Sequence, residues 1–142
     1  MITSKNYTVK FKDYGEITVP KGTRVSSETA IGYDPKYNFV AEFRWVDKSY
    51  PTVSNILKRD LETYGLDVPE EYLYKIDEKD LNKDEYIFGN KGSVWSDEIH
   101  IGVSGTSTTI CGTPMLSSNW ASIEKIKHAS CPRCLDKRKE NV

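Results

Sequence analysis

Three cysteines and two histidines are the only thiol and imidazole metal ligands in this chain of 142 residues, and their order carries most of its chemistry. Cys131 and Cys134 bracket "PR" in "HASCPRCLDK", Cys111 lies upstream in "TTICGTP", and His100 lies further upstream in "DEIHIGV". The spacing is H-x10-C-x19-C-x2-C. Zn²⁺ is held by four such donors in a tetrahedron, and a Cys-x-x-Cys turn presents two thiolates to one ion. His100, Cys111, Cys131 and Cys134 are therefore the expected ligands of a structural Zn²⁺. His128 competes for the fourth position, but three residues before Cys131 it reads more simply as part of the strand leading into the turn. The plain alternative is three buried thiols and two ordinary histidines.

The same Cys-x-x-Cys could be a redox dithiol. That chemistry needs a supporting strand-helix-strand unit, and only eight residues follow Cys134. "CPRCLDKRK" also resembles the end of the metal finger of HNH endonucleases, where a histidine commonly follows the second cysteine; here that position is Leu135. An Asp-His or His-His pair that could bind a catalytic metal and activate water is missing upstream, since His100 and His128 are the only histidines. Phosphate-loop, dinucleotide and nucleophile-elbow motifs are absent as well. A non-enzymatic protein is expected.

The elements that must position these ligands are short. "YTVKFK" alternates Tyr7, Val9 and Phe11 with polar residues, "GEITV" brings Ile17 and Val19 before a Pro20–Gly22 turn, and "YNFVAEFRWV" alternates Phe39, Ala41, Phe43 and Trp45. A helix over about 52–64 follows, its stripe made of Val53, Ile56, Leu57, Leu61 and Tyr64 and its end marked by Gly65. "EYIFG", "SVWSDEIHIGV" and "TTICG" read as later strands, with "SGTST" as a turn. The expected class is α+β: an antiparallel sheet with a packing helix and an acidic connection over 1–80, then a small β-rich, zinc-stapled module over 81–142. So few large aliphatic residues in the second module call for a staple.

Charge is uneven beneath a net value of −1. Residues 67–98 carry ten acids and four bases, whereas residues 99–142 carry three acids and six bases. Glu70, Glu71, Asp77, Glu78, Asp80, Asp84 and Glu85 form the expected partner-binding set, because dense carboxylates compete with nucleic acid for basic channels. The alternative is a zinc-containing nucleic-acid-binding accessory protein using Lys125, Lys127, Arg133, Lys137, Arg138 and Lys139. No apolar run is long enough to span a membrane and no leader precedes the first strand, so the expected location is the cytoplasm. The odd cysteine count fits a reducing compartment.

The run from "EIHIGV" through "TTICGTP" to "ASCPRCLDK" resembles a zinc-binding tail of small phage and mobile-element proteins from Gram-positive bacteria. "FKDYGEITVPKGT" and "LKRDLETYGLDVPEEYL" are similar to other accessory proteins of such elements, including inhibitors of CRISPR nucleases. The resemblance implies an inhibitor of a host defence nuclease (anti-CRISPR-like), bound to a host protein such as a CRISPR nuclease or its nucleic-acid complex. A divergent HNH-like nuclease or redox protein is the third reading.

Overall fold

A computed structural model describes residues 1–29, 37–41, 53–90, 98–115, 120–122 and 126–140. The described residues form an α+β arrangement of small antiparallel sheets and two α-helices. The chain separates into two compact units, Ile2–Leu73 and Tyr74–Val142, with Met1 grouped in the second.

The earlier unit begins with a hairpin of β1 (Tyr7–Phe11) and β2 (Gly15–Val19), in register Tyr7↔Val19 through Phe11↔Gly15. Alternation works as the sequence suggests: Thr8 and Lys10 are exposed, Tyr7, Val9 and Phe11 are half-buried, and Ile17 and Val19 are fully buried. The Thr8 and Thr18 hydroxyls bond across the pair at 2.9 Å. A second sheet has the order β3 (Val25–Thr29), β4 (Tyr37–Ala41), β5 (Leu66–Asp67). The expected strand positions Phe43 and Trp45 lie outside the described residues.

Helix α1 spans Asn55–Tyr64, starting three residues later than the sequence pattern suggests. Ser54 sets the start, since its hydroxyl accepts the Leu57 N–H at 3.2 Å and satisfies a donor that the first turn leaves over. Gly65 ends the helix with its N–H on the Leu61 carbonyl at 2.8 Å. Val53, Leu57 and Leu61 form the buried stripe, whereas Ile56, expected within it, is 53% exposed. The four-residue spacing of the three buried positions turns Ile56 to the outside. Burying Leu57 and Leu61 contributes about 1.5–3 kcal/mol each. Pro69 precedes a single 3-10 turn, Glu70–Tyr72.

The later unit contains β6 (Ile76–Asp77), β7 (Glu85–Asn90), β8 (His100–Val103), β9 (Trp120–Ser122), β10 (His128–Ala129) and α2 (Pro132–Glu140). β7 is central, flanked by β8 and β9, while β6 pairs with β10. Residues 74–85 are therefore not a loose acidic connection. Ile76 and Leu81 pack against a core of Ile87, Ile99, Ile101, Ile126, Ala129, Cys131, Cys134 and Leu135, and the Glu78 N–H bonds to the Lys127 carbonyl at 2.8 Å. Apolar residues spaced through the charged run supply the anchorage that its composition conceals. No described helix is long and apolar enough to cross a membrane.

Candidate metal centre

Ile99 and Ile101 in and beside β8 are fully buried, which fixes the strand and with it His100, itself only 4% exposed. The strand's start is tied to the corner before α2: the Ser130 and Cys131 N–H groups both donate to the Ile99 carbonyl, at 2.9 and 3.0 Å. In return the Ser130 hydroxyl accepts the Ile99 N–H at 3.2 Å. These bonds bring two ligands 31 residues apart, His100 and Cys131, into one place.

The Cys-Pro-Arg-Cys stretch forms the first turn of α2. Pro132 occupies the first helical position, where its missing N–H costs nothing and its fixed φ suits the helix. Cys131 stands immediately before it, and its carbonyl accepts the Leu135 N–H at 3.1 Å. Cys134, three residues on, shares a face with Cys131. Both sulfurs thus meet the positive end of the helix, and the Cys134 main-chain N–H reaches the Cys131 sulfur.

Cys111 arrives from a different kind of element. "TTICG" is not a strand, as its composition suggests, but a loop closed by isolated bridges Gly102↔Thr109 and Thr108↔Pro114. The Ile110 N–H holds it to the Ile101 carbonyl at 2.9 Å. Gly112 has φ +89°, a conformation that side chains resist, and in the turn it permits the Thr113 N–H donates to Thr109 Oγ1 at 3.1 Å, close enough to the Cys111 sulfur to favour its thiolate. The Thr109 and Thr113 hydroxyls lie 3.1 and 3.2 Å from the same sulfur.

The ligand atoms of His100, Cys111, Cys131 and Cys134 all fall within 4.8 Å of one another. His100 Nδ1 is 3.4 Å from Cys111 Sγ and 3.7 Å from Cys134 Sγ. A tetrahedral zinc with Zn–S of about 2.3 Å and Zn–N of about 2.0 Å has ligand-to-ligand edges of about 3.5–3.8 Å. The four residues fit a metal ion of that size and preference.

Their acidities point the same way. The Cys134 thiol, as hydrogen-bond donor, brings Cys131 down to about 3 against the opposing effect of burial, with His100 adding to the stabilisation. Cys131 in turn raises His100 above its ordinary value. Burial pushes the Cys111 thiol up, but the Thr109 and Thr113 hydroxyls outweigh it and leave the group at about 7. Cys134 is raised, first by its proton being shared with Cys131 and then by burial. Three thiolates in contact repel, so one proton stays behind unless a cation removes the conflict. The Cys131 and then the Cys111 charges hold the exposed Arg133 guanidinium protonated.

His128 is buried in β10, opposite Asp77, and is not among the clustered ligands. The other expected sites are dispersed. Glu70 and Glu71 belong to the Ile2–Leu73 unit, Asp77 through Glu85 to the other. Asp77 accepts from Lys75 at 2.7 Å, which holds its carboxyl below the usual range. Glu78 pairs with Lys127 at 3.5 Å, and the Glu85 carboxylate, only 6% exposed, takes Arg138 Nε at 3.0 Å and Nη2 at 3.1 Å. Members of the acidic set and of the basic set are thus each other's partners. Asp80, Asp84, Lys137 and Lys139 are exposed, Lys139 with its ammonium 4.8 Å from the centre of the Tyr74 ring. Arg133 pairs loosely with Glu98 at 4.0 Å, and Lys125 lies outside the described residues. Thr109 and Thr113 escaped the sequence reading, although two threonines placed symmetrically about Cys111 are the visible trace of their role. No protein-family model, curated protein or solved structure matches the chain.

Proposed function

We propose that the Tyr74–Val142 unit carries one structural zinc ion and that the protein works by binding a macromolecular partner rather than by turning over a substrate. The observation that carries this reading is the closed ligand set: four protein donors, three of them at most 4% exposed, converge within 4.8 Å. A catalytic zinc keeps a position open for water or substrate, and a full tetrahedron of side chains leaves none. Bound there, the ion would neutralise the thiolates and cross-link β8, the 108–114 loop and α2.

A redox reading gains something from Cys131 at the start of a helix, since that position stabilises a thiolate. Both sulfurs of the pair are fully buried, however, and a dithiol catalyst must meet its substrate. Binding remains the reading the chemistry favours. The partner class implied by the sequence resemblance is a host defence nuclease, inhibited stoichiometrically. The ion pairs made by Asp77, Glu78 and Glu85 argue that such binding draws on shape and, in the Tyr74–Val142 unit, on the exposed acids Asp80 and Asp84 rather than on a full run of free carboxylates. For the nucleic-acid alternative, Lys127 and Arg138 are similarly engaged.

Metal analysis of the protein purified without added zinc tests the first part. About one equivalent per chain is expected, lost in Cys131→Ser and retained in His128→Ala, because structural zinc supplies on the order of 10–16 kcal/mol to a small fold. Loss of metal in His128→Ala would reassign the histidine. Affinity capture from host cells tests the second part: a nuclease co-eluting in stoichiometric amount supports it. Salt-sensitive retention on DNA or RNA instead favours the nucleic-acid alternative.

A further inference from the structure

Cys111 differs from the other three ligands in exposure, in the element that carries it and in what surrounds its sulfur. Cys131 and Cys134 are fully buried and His100 is 4% exposed, all within regular structure or at its start, and both cysteines belong to the apolar core. Cys111 is partly exposed and sits in a turn between half-buried Ile110 and exposed Gly112. Among the described residues its main-chain ties to β8 are the Gly102↔Thr109 bridge and the Ile110 N–H bond. Loops held by few bonds open at much lower free energy than the sheets they leave. The Thr109 and Thr113 hydroxyls lie within hydrogen-bond distance of the Cys111 sulfur, at 3.1 and 3.2 Å, and can donate to its thiolate. Hydrogen bonds of this kind spread thiolate charge and lower its nucleophilicity.

We infer that Cys111 is the exchange vertex of the metal site: the ligand at which soft carbon electrophiles modify the protein and through which the metal is released, with Thr109 and Thr113 restraining that reaction. This rests on the zinc reading above. The covalent step needs no further reactant. The Cys111 sulfur forms a bond to the electrophilic carbon, the leaving group departs with its electron pair, and the product is a neutral thioether in place of a thiolate. The metal then keeps two thiolates and an imidazole, a weaker set, and passes to a competing chelator. His100, Cys131 and Cys134 stay in the core and can accept the metal again only if the fourth position is restored.

Native full-length protein holding one zinc per chain is treated with limiting iodoacetamide beside a chromogenic zinc chelator, and the alkylated peptides are mapped. Cys111 is expected to take at least about ten-fold more label than Cys131 or Cys134, in line with the dependence of thiol reactivity on access. Zinc release should follow Cys111 labelling in time. The Thr109→Val/Thr113→Val double variant should label at Cys111 several-fold faster. Equal labelling of the three cysteines, or first labelling of Cys131 or Cys134, overturns the inference while leaving the zinc reading intact. An unchanged rate in a zinc-loaded double variant removes the restraining role of the threonines. Protein that contains no zinc before treatment fails the zinc reading, and the inference falls with it.

Discussion

At the residue scale, Gly102 in β8 is a confined position. It faces Tyr86 of β7 across the ladder, and a methyl group added there would lie 2.5 Å from a Tyr86 ring carbon. Tyr86 is itself held by its hydroxyl at 3.4 Å from the Met115 sulfur. Gly102→Ala should therefore destabilise the protein by about 1–3 kcal/mol through overpacking, seen as a lower melting temperature. The Glu85–Arg138 contact is the second residue-scale test. Burial alone would raise the Glu85 carboxyl, yet Arg138 and the Asn82 N–H bring it below its ordinary value. A depressed folded pKa means stability present above the unfolded value, near about 4.3, and lost as pH falls through the folded value. Glu85→Gln should cost about 1–3 kcal/mol at pH 7, and the gap to wild type should close toward pH 3 in denaturant titrations. A constant gap would mean that packing, not charge, holds the contact. The clustering of His100, Cys111, Cys131 and Cys134 was legible because cysteine and histidine are so scarce here. The pairings Glu85–Arg138 and Glu78–Lys127 were not, since sequence locates charges but not which of them meet.

At the scale of elements, α1 depends on the Ser54 cap, which lies inside the span 52–64 that the sequence pattern suggests. Ser54→Ala should cost about 1 kcal/mol, and Ser54→Asp should retain most of the stability, as measured by thermal melts. If alanine has no effect, the helix start is set by packing of Val53 and Leu57 instead. β1 and β2 were readable because one face of each is more apolar than the other, the arrangement a half-buried sheet needs, whereas β3, "VSSET", offers no such alternation and went unread. The 108–114 loop was not readable either: "TTICG" has the β-branched residues of a strand, but Gly112 and a thiol that must turn toward His100 override that propensity. Similarly, a run as charged as 74–85 hides its structure because only Tyr74, Ile76 and Leu81 carry apolar anchorage.

At the scale of the whole molecule, the four ligands all belong to Tyr74–Val142. A chelator should therefore act unevenly along the chain. In hydrogen exchange read peptide by peptide, amides of β7, β8 and α2 should lose protection when zinc is removed, whereas those of β1, β2 and α1 should keep theirs. Uniform loss would show that the two units fold as one cooperative body. The pairing of acids early in that unit with bases late in it has one more consequence, for natural variation. Arginine grips a carboxylate with a planar fork that lysine cannot reproduce, so positions 85 and 138 are bound to each other's chemistry in a way that 78 and 127, exposed and loosely paired, are not. Among orthologues, substitutions at 85 and 138 should arise together or not at all, while those at 78 and 127 should drift independently.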